Sequence, residues 1–339
     1  MRRRLLLPFL LAGVVASAFE PPAAPRIVAV ADIHGAIEPF VSILTRAGLL
    51  DAQRRWAGGP TVLVQTGDIT DRGAGVRDAL DLLMSLESQA AAAGGKVHVV
   101  LGNHEIMNML GEMRDVSAEA VSAFGGIATY QAAFARDGKY GKWLRTKPIL
   151  VNIDGTVFMH AGINLAFTTE TLDELNRRAR REITEWDEGR RWLEDNGLVK
   201  RSATFQEVVQ AARSEIDRLN AIMAEKQHLP PEARRAGAVV LPVANIGASS
   251  LLHPDGPMWF RGFATWTDDE GASRFAAVLK HHGVKRFVTG HTVQQAGQIT
   301  ERFGGSLFLI DTGMLDGRFY PGGRASALEI SGGTGKPVY

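Results

Sequence analysis

Five short segments of this chain carry side chains that could do chemistry together. They are Asp32-Ile-His34-Gly35, Gly67-Asp68-Ile-Thr-Asp71-Arg72-Gly73, Gly102-Asn103-His104-Glu105, His160-Ala-Gly162 and Gly290-His291-Thr292. Asp32 and His34 are two residues apart, so an extended chain sends both to one side, where they can reach a single ion. Asp68 offers two oxygens, enough to bridge two ions. Asn103 offers an amide oxygen, and His160 and His291 offer ring nitrogens. Mixed nitrogen and oxygen ligation without sulfur suits manganese, iron, zinc or magnesium. Two such ions sharing Asp68 and a bridging water would acidify that water and clamp the attacking and leaving oxygens of an in-line displacement at phosphorus. Arg72 could then grip phosphate oxygens in a planar fork. His104 is not needed as a ligand and could protonate the leaving oxygen, with Asp71 orienting it and favouring its charged form.

These groups need a frame that delivers them to one place. Arg26–Ala31 and Thr61–Thr66 are short apolar runs that read as buried strands, Lys96–Leu101 reads as a third strand, and each ends where one of the segments begins. Helical spacing follows the first run (Ile37, Val41, Leu44, Leu49) and the second (Val76 to Ala93, stopped by Gly94-Gly95). Further strands are expected at Ile149–Ile153, Thr156–His160, Arg286–Thr289, Ser306–Ile310 and Ser326–Ile330. Strands alternating with helices predict an α/β fold with a parallel-containing sheet, whose sites lie beyond the carboxyl ends of the strands. From about 165 to 240 the chain loses β character and carries 13 basic and 14 acidic residues. Thr171…Glu174 and Thr204…Glu207 fit the capping-box pattern, so this stretch reads as a helical insertion or cap with solvated charged faces.

Composition bounds the alternatives. With 339 residues, 45% hydrophobic and 22% charged, the chain resembles a globular protein and not a disordered, fibrous or polytopic membrane one. A formal net charge of +1 gives no global field for nucleic acid, and no nucleic-acid partner is expected. The absence of cysteine excludes a thiolate nucleophile, cysteine-held zinc and any disulfide. Met1-Arg2-Arg3-Arg4 followed by an apolar run to Ala18 predicts a signal peptide over 1–18, a leader over 19–25 and one domain over 26–339. Its removal would lower the 38 basic residues to 35 against 37 acidic ones, and would leave an exported protein, periplasmic or secreted, with no membrane span.

The ordered set Asp-x-His-Gly, Gly-Asp-x-x-Asp-Arg-Gly, Gly-Asn-His-Glu, His-x-Gly and a late Gly-His resembles the calcineurin-like metallophosphoesterases. It is nearest the phosphoprotein phosphatase group and, with Asp311-Thr-Gly-Met314, similar to the bacterial-type Shewanella-like phosphatases. The resemblance implies a two-layer β-sandwich flanked by helices around a dinuclear metal centre, with manganese expected first. It implies one ion on Asp32, His34 and Asp68, and a second on Asp68, Asn103, His160 and His291. It makes His104 and Asp71 the acid dyad, Arg72 a phosphate clamp and Asn103 a further phosphate contact. Arg261, in Gly256-Pro-Met-Trp-Phe-Arg-Gly262, resembles the family's second phosphate-binding arginine. The chain departs from the pattern where Ala31 replaces the usual glycine, where Asp311-Thr-Gly-Met314 replaces Ser-Ala-Pro-Asn-Tyr, and where Gly-His-Thr replaces Arg-Ala-His.

The expected activity is hydrolysis of phosphate monoesters, on phosphoprotein or small esters, by the water between the ions. A nucleotide or dinucleoside polyphosphate hydrolase on the same frame is the second expectation, and a non-catalytic phosphate-binding scaffold the third. His98 reads as structural, His228, His253, His281 and His282 receive no role, and Trp259, Phe260, Phe263 and Trp266 read as core packing before an aryl-binding wall.

Overall fold

Ile27–Val30 is buried on both faces because two hydrophobic layers meet on it. Val28 and Val30 turn toward the helices, whereas Ile27 and Ala29 turn toward a second sheet. A strand covered on both sides needs a continuous apolar run in place of an alternating one. The computed structural model describes residues 25–315 and 317–339. The predicted signal peptide and nearly all of the leader lie outside the described residues.

The elements run β1 (Ile27–Val30), α1 (Ile37–Arg46), β2 (Val62–Gln65), α2 (Val76–Ala92), β3 (Lys96–Val99) and α3 (Asn103–Leu110). Then come α4 (Ala118–Ala123), α5 (Ile127–Phe134), α6 (Lys139–Leu144), β4 (Leu150–Ile153) and β5 (Thr156–Met159). The charge-rich stretch holds α7 (Leu172–Asp195), α8 (Phe205–Lys226) and α9 (Pro231–Ala244). The chain ends with α10 (Gly262–Thr265), α11 (Asp268–His282), β6 (Arg286–Thr289), β7 (Thr300–Arg302), β8 (Leu307–Leu309), β9 (Ala327–Ser331) and β10 (Thr334–Val338).

One sheet has the order β10-β9-β1-β2-β3 and the other β4-β5-β6-β8-β7. In the first, β1, β2 and β3 are parallel, with Ile27 opposite Val62 and Val62 opposite Lys96. In the second, β5, β6 and β8 are parallel. Ala29, Val64 and Leu328 from the first sheet meet Phe158, Val288 and Phe308 from the second, and this layer makes the sandwich. Helices cover the outer faces through a larger cluster that includes Phe40, Leu83 and Phe287.

Both predicted capping boxes are present: Thr171 and Thr204 accept the amides of Glu174 and Glu207, and each glutamate reaches back to the threonine amide. α9 packs along α7 and α8. It approaches α7 closely at Gly189, where a Cβ would lie 2.3 Å from Val243 Cγ2. Phe205 stacks on Trp186 with ring centroids 5.2 Å apart, fixing the start of α8 against α7. Two strands escaped the sequence reading. β7 is only half-buried and polar, and β10 is an edge strand carrying Pro337, which edge positions tolerate. Among the described residues no helix is long and apolar enough to cross a membrane.

Candidate active site

Six parallel strands, three from each sheet, end at one place. Asp32 and His34 follow β1; Asp68, Asp71 and Arg72 follow β2; Asn103 and His104 open α3 after β3. His160 follows β5, His291 follows β6 and Asp311 follows β8. The loops are forced to meet by close backbone packing. Gly67 has φ +97°, and a Cβ there would stand 2.5 Å from the Gly102 amide nitrogen. Asp32, His34, Asp68, Asp71, Asn103, His104, His160 and His291 are all buried. Five of these site residues (His34, Asp68, Asp71, Arg72 and His291) have positive φ, a conformation that costs non-glycine residues about 1–3 kcal/mol each and gathers at functional sites.

The imidazoles are oriented from behind. His34 Nδ1–H donates to the Thr70 carbonyl at 2.8 Å, and His160 Nδ1–H donates to the Thr66 carbonyl at 3.0 Å. His291 Nε2–H donates to the Trp259 carbonyl at 3.1 Å. Each bond assigns a tautomer and leaves the opposite nitrogen with a free lone pair, the arrangement in which histidine ligates metal. Those nitrogens converge on Asp68. Its Oδ2 lies 3.5 Å from His34 Nε2 and 3.3 Å from His160 Nε2. Asp32 Oδ2 lies 3.9 Å from His34 Nε2. His160 Nε2 is 2.8 Å from Asn103 Oδ1 and 2.9 Å from His291 Nδ1. Lone pairs, an amide oxygen and a carboxylate facing one another at these distances form a donor set for cations, with Asp68 common to both halves. Asp68, His160 and His291 group as one possible ion site, and His34, Asp68 and His104 as another.

The remaining predicted residues stand around this centre. His104 Nδ1–H donates to Asp71 Oδ2 at 2.6 Å, and its Nε2 faces the centre, 3.8 Å from Asp68 Oδ2. The Arg72 guanidinium reaches His34 Nε2 at 2.5 Å, His104 Nε2 at 3.2 Å and the hydroxyl of Tyr320. Arg261 is exposed, and its Nη1 donates to the His291 carbonyl at 2.9 Å and to Thr292 Oγ1 at 3.0 Å. A cleft of about 740 Å³ opens beside it, lined by Met107, Phe205, Trp259, Phe260 and Trp266 among others.

A profile of the family "Calcineurin-like phosphoesterase" matches residues 25–295, which span the site residues from Asp32 to His291. The chain belongs to the calcineurin-like phosphoesterases. It is 29% identical over 321 residues to Shewanella-like protein phosphatase 2 of Arabidopsis thaliana, covering 90% of this chain and 74% of that protein. It is 25% identical over 295 residues to Shewanella-like protein phosphatase 1 of Plasmodium berghei, covering 85% and 67%. Among solved structures it is similar in fold to a cold-active protein-tyrosine phosphatase of a psychrophilic Shewanella. The TM-score is 0.64 and the identity 24%, over 93% of this chain and 77% of that one.

Electrostatics in this calcineurin-like centre separate the groups. Burial holds His34 and His291 well below the usual imidazole range, so both are neutral and ligand-ready. Burial alone would raise Asp68, but His160 and then His104 beside it outweigh burial and keep its carboxyl well below the usual range. Burial and then the neighbouring Asp311 and Asp68 push Asp32 well up. Asp311 is pushed to about 6, mainly by burial. A divalent cation held by Asp32 would oppose the shift there, because it favours the charged carboxylate. For His104, burial lowers the pKa, but Asp68 and Asp71 together outweigh it and raise it, favouring the protonated form.

Three functional neighbours went unread in the sequence. Glu105 accepts from the amides of Asp68, Ile69, Thr70 and Gly102 and from Thr70 Oγ1, at 2.7–3.0 Å, and so builds the loop that presents Asp68. Its position three residues after Gly102 is the capping-box spacing. Asn108, one helical turn after His104, donates to Asp71 Oδ1 at 2.7 Å. Tyr320 lies outside every motif, and nothing in the sequence marks it. Trp259, Phe260 and Trp266 line the cleft, whereas Phe263 is buried away from it, so the aromatic cluster splits between cleft lining and core.

Proposed function

We propose that this calcineurin-like phosphoesterase is a metal-dependent phosphomonoesterase, acting on phosphoprotein or a small phosphate ester. The observation that carries this reading is the His104–Asp71 contact of 2.6 Å beside a buried donor set. A scaffold that merely bound phosphate would have no use for a buried, carboxylate-oriented imidazole aimed at the ligand. Asp32, His34 and Asp68 would hold one divalent ion, and Asp68, Asn103, His160 and His291 the other, manganese being our first choice. Bound there, the ions supply charge neutralisation at the phosphoryl oxygens and acidify water at neutral pH.

The chain's own groups do the rest. Arg72 and Arg261 grip phosphate oxygens, and Asn103 adds a donor from its amide nitrogen while its oxygen faces His160. His104, protonated and held by Asp71, gives its Nε2 proton to the departing alkoxide or phenoxide. Asn108 fixes Asp71 so that the imidazole keeps its aim. The cleft beside Arg261 receives the alcohol part of the substrate. The N-terminal basic and apolar segment supports export, with cleavage after Ala18.

The test is release of nitrophenol from p-nitrophenyl phosphate and from its bis-ester, using residues 19–339 stripped of metal and reloaded with Mn²⁺. We expect chelator-sensitive cleavage of the monoester. Preference for the bis-ester would replace this reading with a phosphodiesterase, and inactivity of the loaded protein on both would remove it.

A further inference from the structure

Tyr320 sits in Phe319-Tyr320-Pro321-Gly322-Gly323, downstream of Asp311-Thr-Gly-Met314. The chain is led back to the centre by tight backbone packing. Gly313 has φ +69°, and a Cβ there would lie 2.7 Å from Tyr320 Cβ. The return is pinned by the Arg324 amide donating to the Thr312 carbonyl at 3.0 Å, and by Thr312 Oγ1 donating to the Arg324 carbonyl at 2.7 Å. The Gly323 amide closes the turn onto the Tyr320 carbonyl at 2.8 Å. The ring therefore has a built seat. It lies near His34, with centroids 6.4 Å apart and planes inclined by 31°. Its hydroxyl meets Arg72 Nη1, and the Arg72 guanidinium lies 5.7 Å from its centroid.

Arg72 Nη1 has two acceptors, His34 Nε2 and the Tyr320 hydroxyl. A cation held by His34 would take that nitrogen's lone pair, which could then no longer accept from a guanidinium. The phenol oxygen is then the acceptor left for Nη1. A phenol that accepts through a lone pair still has its own O–H to donate. We propose that Tyr320 completes the phosphate clamp: it fixes the Arg72 guanidinium from behind and donates its hydroxyl proton in a hydrogen bond to a phosphate oxygen. The inference rests on the phosphatase reading of the same site, but it assigns a role to a residue that no motif contains.

The test compares the Mn²⁺-loaded wild-type protein with Tyr320→Phe, which keeps the ring and removes the hydroxyl. We expect KM for p-nitrophenyl phosphate to rise about tenfold or more, the range for a hydrogen bond to a charged group, with a smaller change in kcat. Calorimetric titration with inorganic phosphate should show a matching loss of affinity, with metal content and melting temperature unchanged. Unchanged KM and phosphate affinity in an active enzyme would overturn the role of Tyr320 while leaving the phosphatase reading intact. Loss of metal or of melting temperature in Tyr320→Phe would make the residue structural and overturn it equally. An inactive wild-type protein would remove the phosphatase reading itself, and phosphate affinity equal in both proteins would then remove the clamp as well.

Discussion

Glu105→Gln changes one atom and should damage the protein badly. The carboxylate is buried, with Oε2 accepting from the amides of Asp68 (2.7 Å) and Gly102 (2.8 Å). Oε1 accepts from the amides of Ile69 (2.8 Å) and Thr70 (3.0 Å) and from Thr70 Oγ1 (3.0 Å). Glutamine replaces one oxygen with an NH₂ group, which can only donate. Whichever way the amide is turned, at least two buried backbone N–H groups lose their acceptor and face a donor. At about 1–3 kcal/mol for each orphaned buried donor, the cost is about 2–6 kcal/mol, against a total stability of about 5–15 kcal/mol for a typical domain. The loop that loosens is the one presenting Asp68 at positive φ, so metal affinity should fall about 10–100-fold, as when supporting partners of a ligand are removed. Urea unfolding of metal-free protein would measure the first effect, and metal titration the second. Burial and the Asp68 charge both raise the Glu105 pKa, and the amide donors lower it. A variant within about 1 kcal/mol of wild type, binding metal normally, would mean that Glu105 is protonated in the native protein. The reading of a five-donor anion anchor would then be refuted.

Three further outcomes follow from the site and its surroundings. His104→Asn should keep its metal but lose about 10²–10⁴-fold in kcat, the usual contribution of a general acid; full activity with metal bound would remove His104 from that role. Asp71→Asn takes away one of the two carboxylates that raise the His104 pKa. The protonated acid is then lost at a lower pH, so the alkaline limb of the kcat profile should move to lower pH, and an unmoved limb would show that another group sets it. His282 is held at about 4 by burial, against 6.5 when unfolded. Its folded pKa is the lower one, so the unfolded state takes up the proton first and stability falls as pH drops from about 6.5 towards 4. His282→Leu should flatten that slope in pH-dependent unfolding, and an undiminished slope would assign it elsewhere, His98 being the next candidate.

What the sequence made legible was the part governed by short-range rules. Arg286–Thr289 has the predicted bounds, and β1, β2 and β3 lie within a residue or two of theirs, because each is built on a short β-branched apolar run that stops where a polar loop begins. The capping boxes at Thr171 and Thr204 were visible for a similar reason, since donor and acceptor lie three residues apart. β7 and β10 were not visible, because Thr300–Arg302 is polar and Thr334–Val338 carries Gly335 and Pro337, so neither holds an apolar run. The same division holds in the site. Asp32, His34, Asp68, Asn103, His160 and His291 could be picked out because each stands at a strand end, and the structure brings all six together. Glu105 satisfies donors 35–37 residues away as well as the local Gly102 amide, and Tyr320 reaches Arg72 across 248 positions. No local pattern encodes either contact.

That division bears on where the strain at this site is held. His34, Asp68, Asp71, Arg72 and His291 all sit at positive φ, which none of them would choose in an isolated peptide. Each is opposed by bonds from another strand's loop. The His34 amide donates to the Asp68 carbonyl, and the Asp68 amide donates to Glu105. The His291 amide donates to Asp32 Oδ1 at 3.0 Å. The first sheet therefore restrains a loop of the second, since Asp32 belongs to the first and His291 to the second. Asp32→Asn tests this with the same heavy-atom count. An amide oxygen at the Oδ1 position still accepts from His291, whereas the lost charge weakens only cation binding. Metal affinity should drop with little change in metal-free stability, whereas Asp32→Ala should lose both. Equal metal-free stability in the two variants would show that the His291 loop holds its conformation without the other sheet.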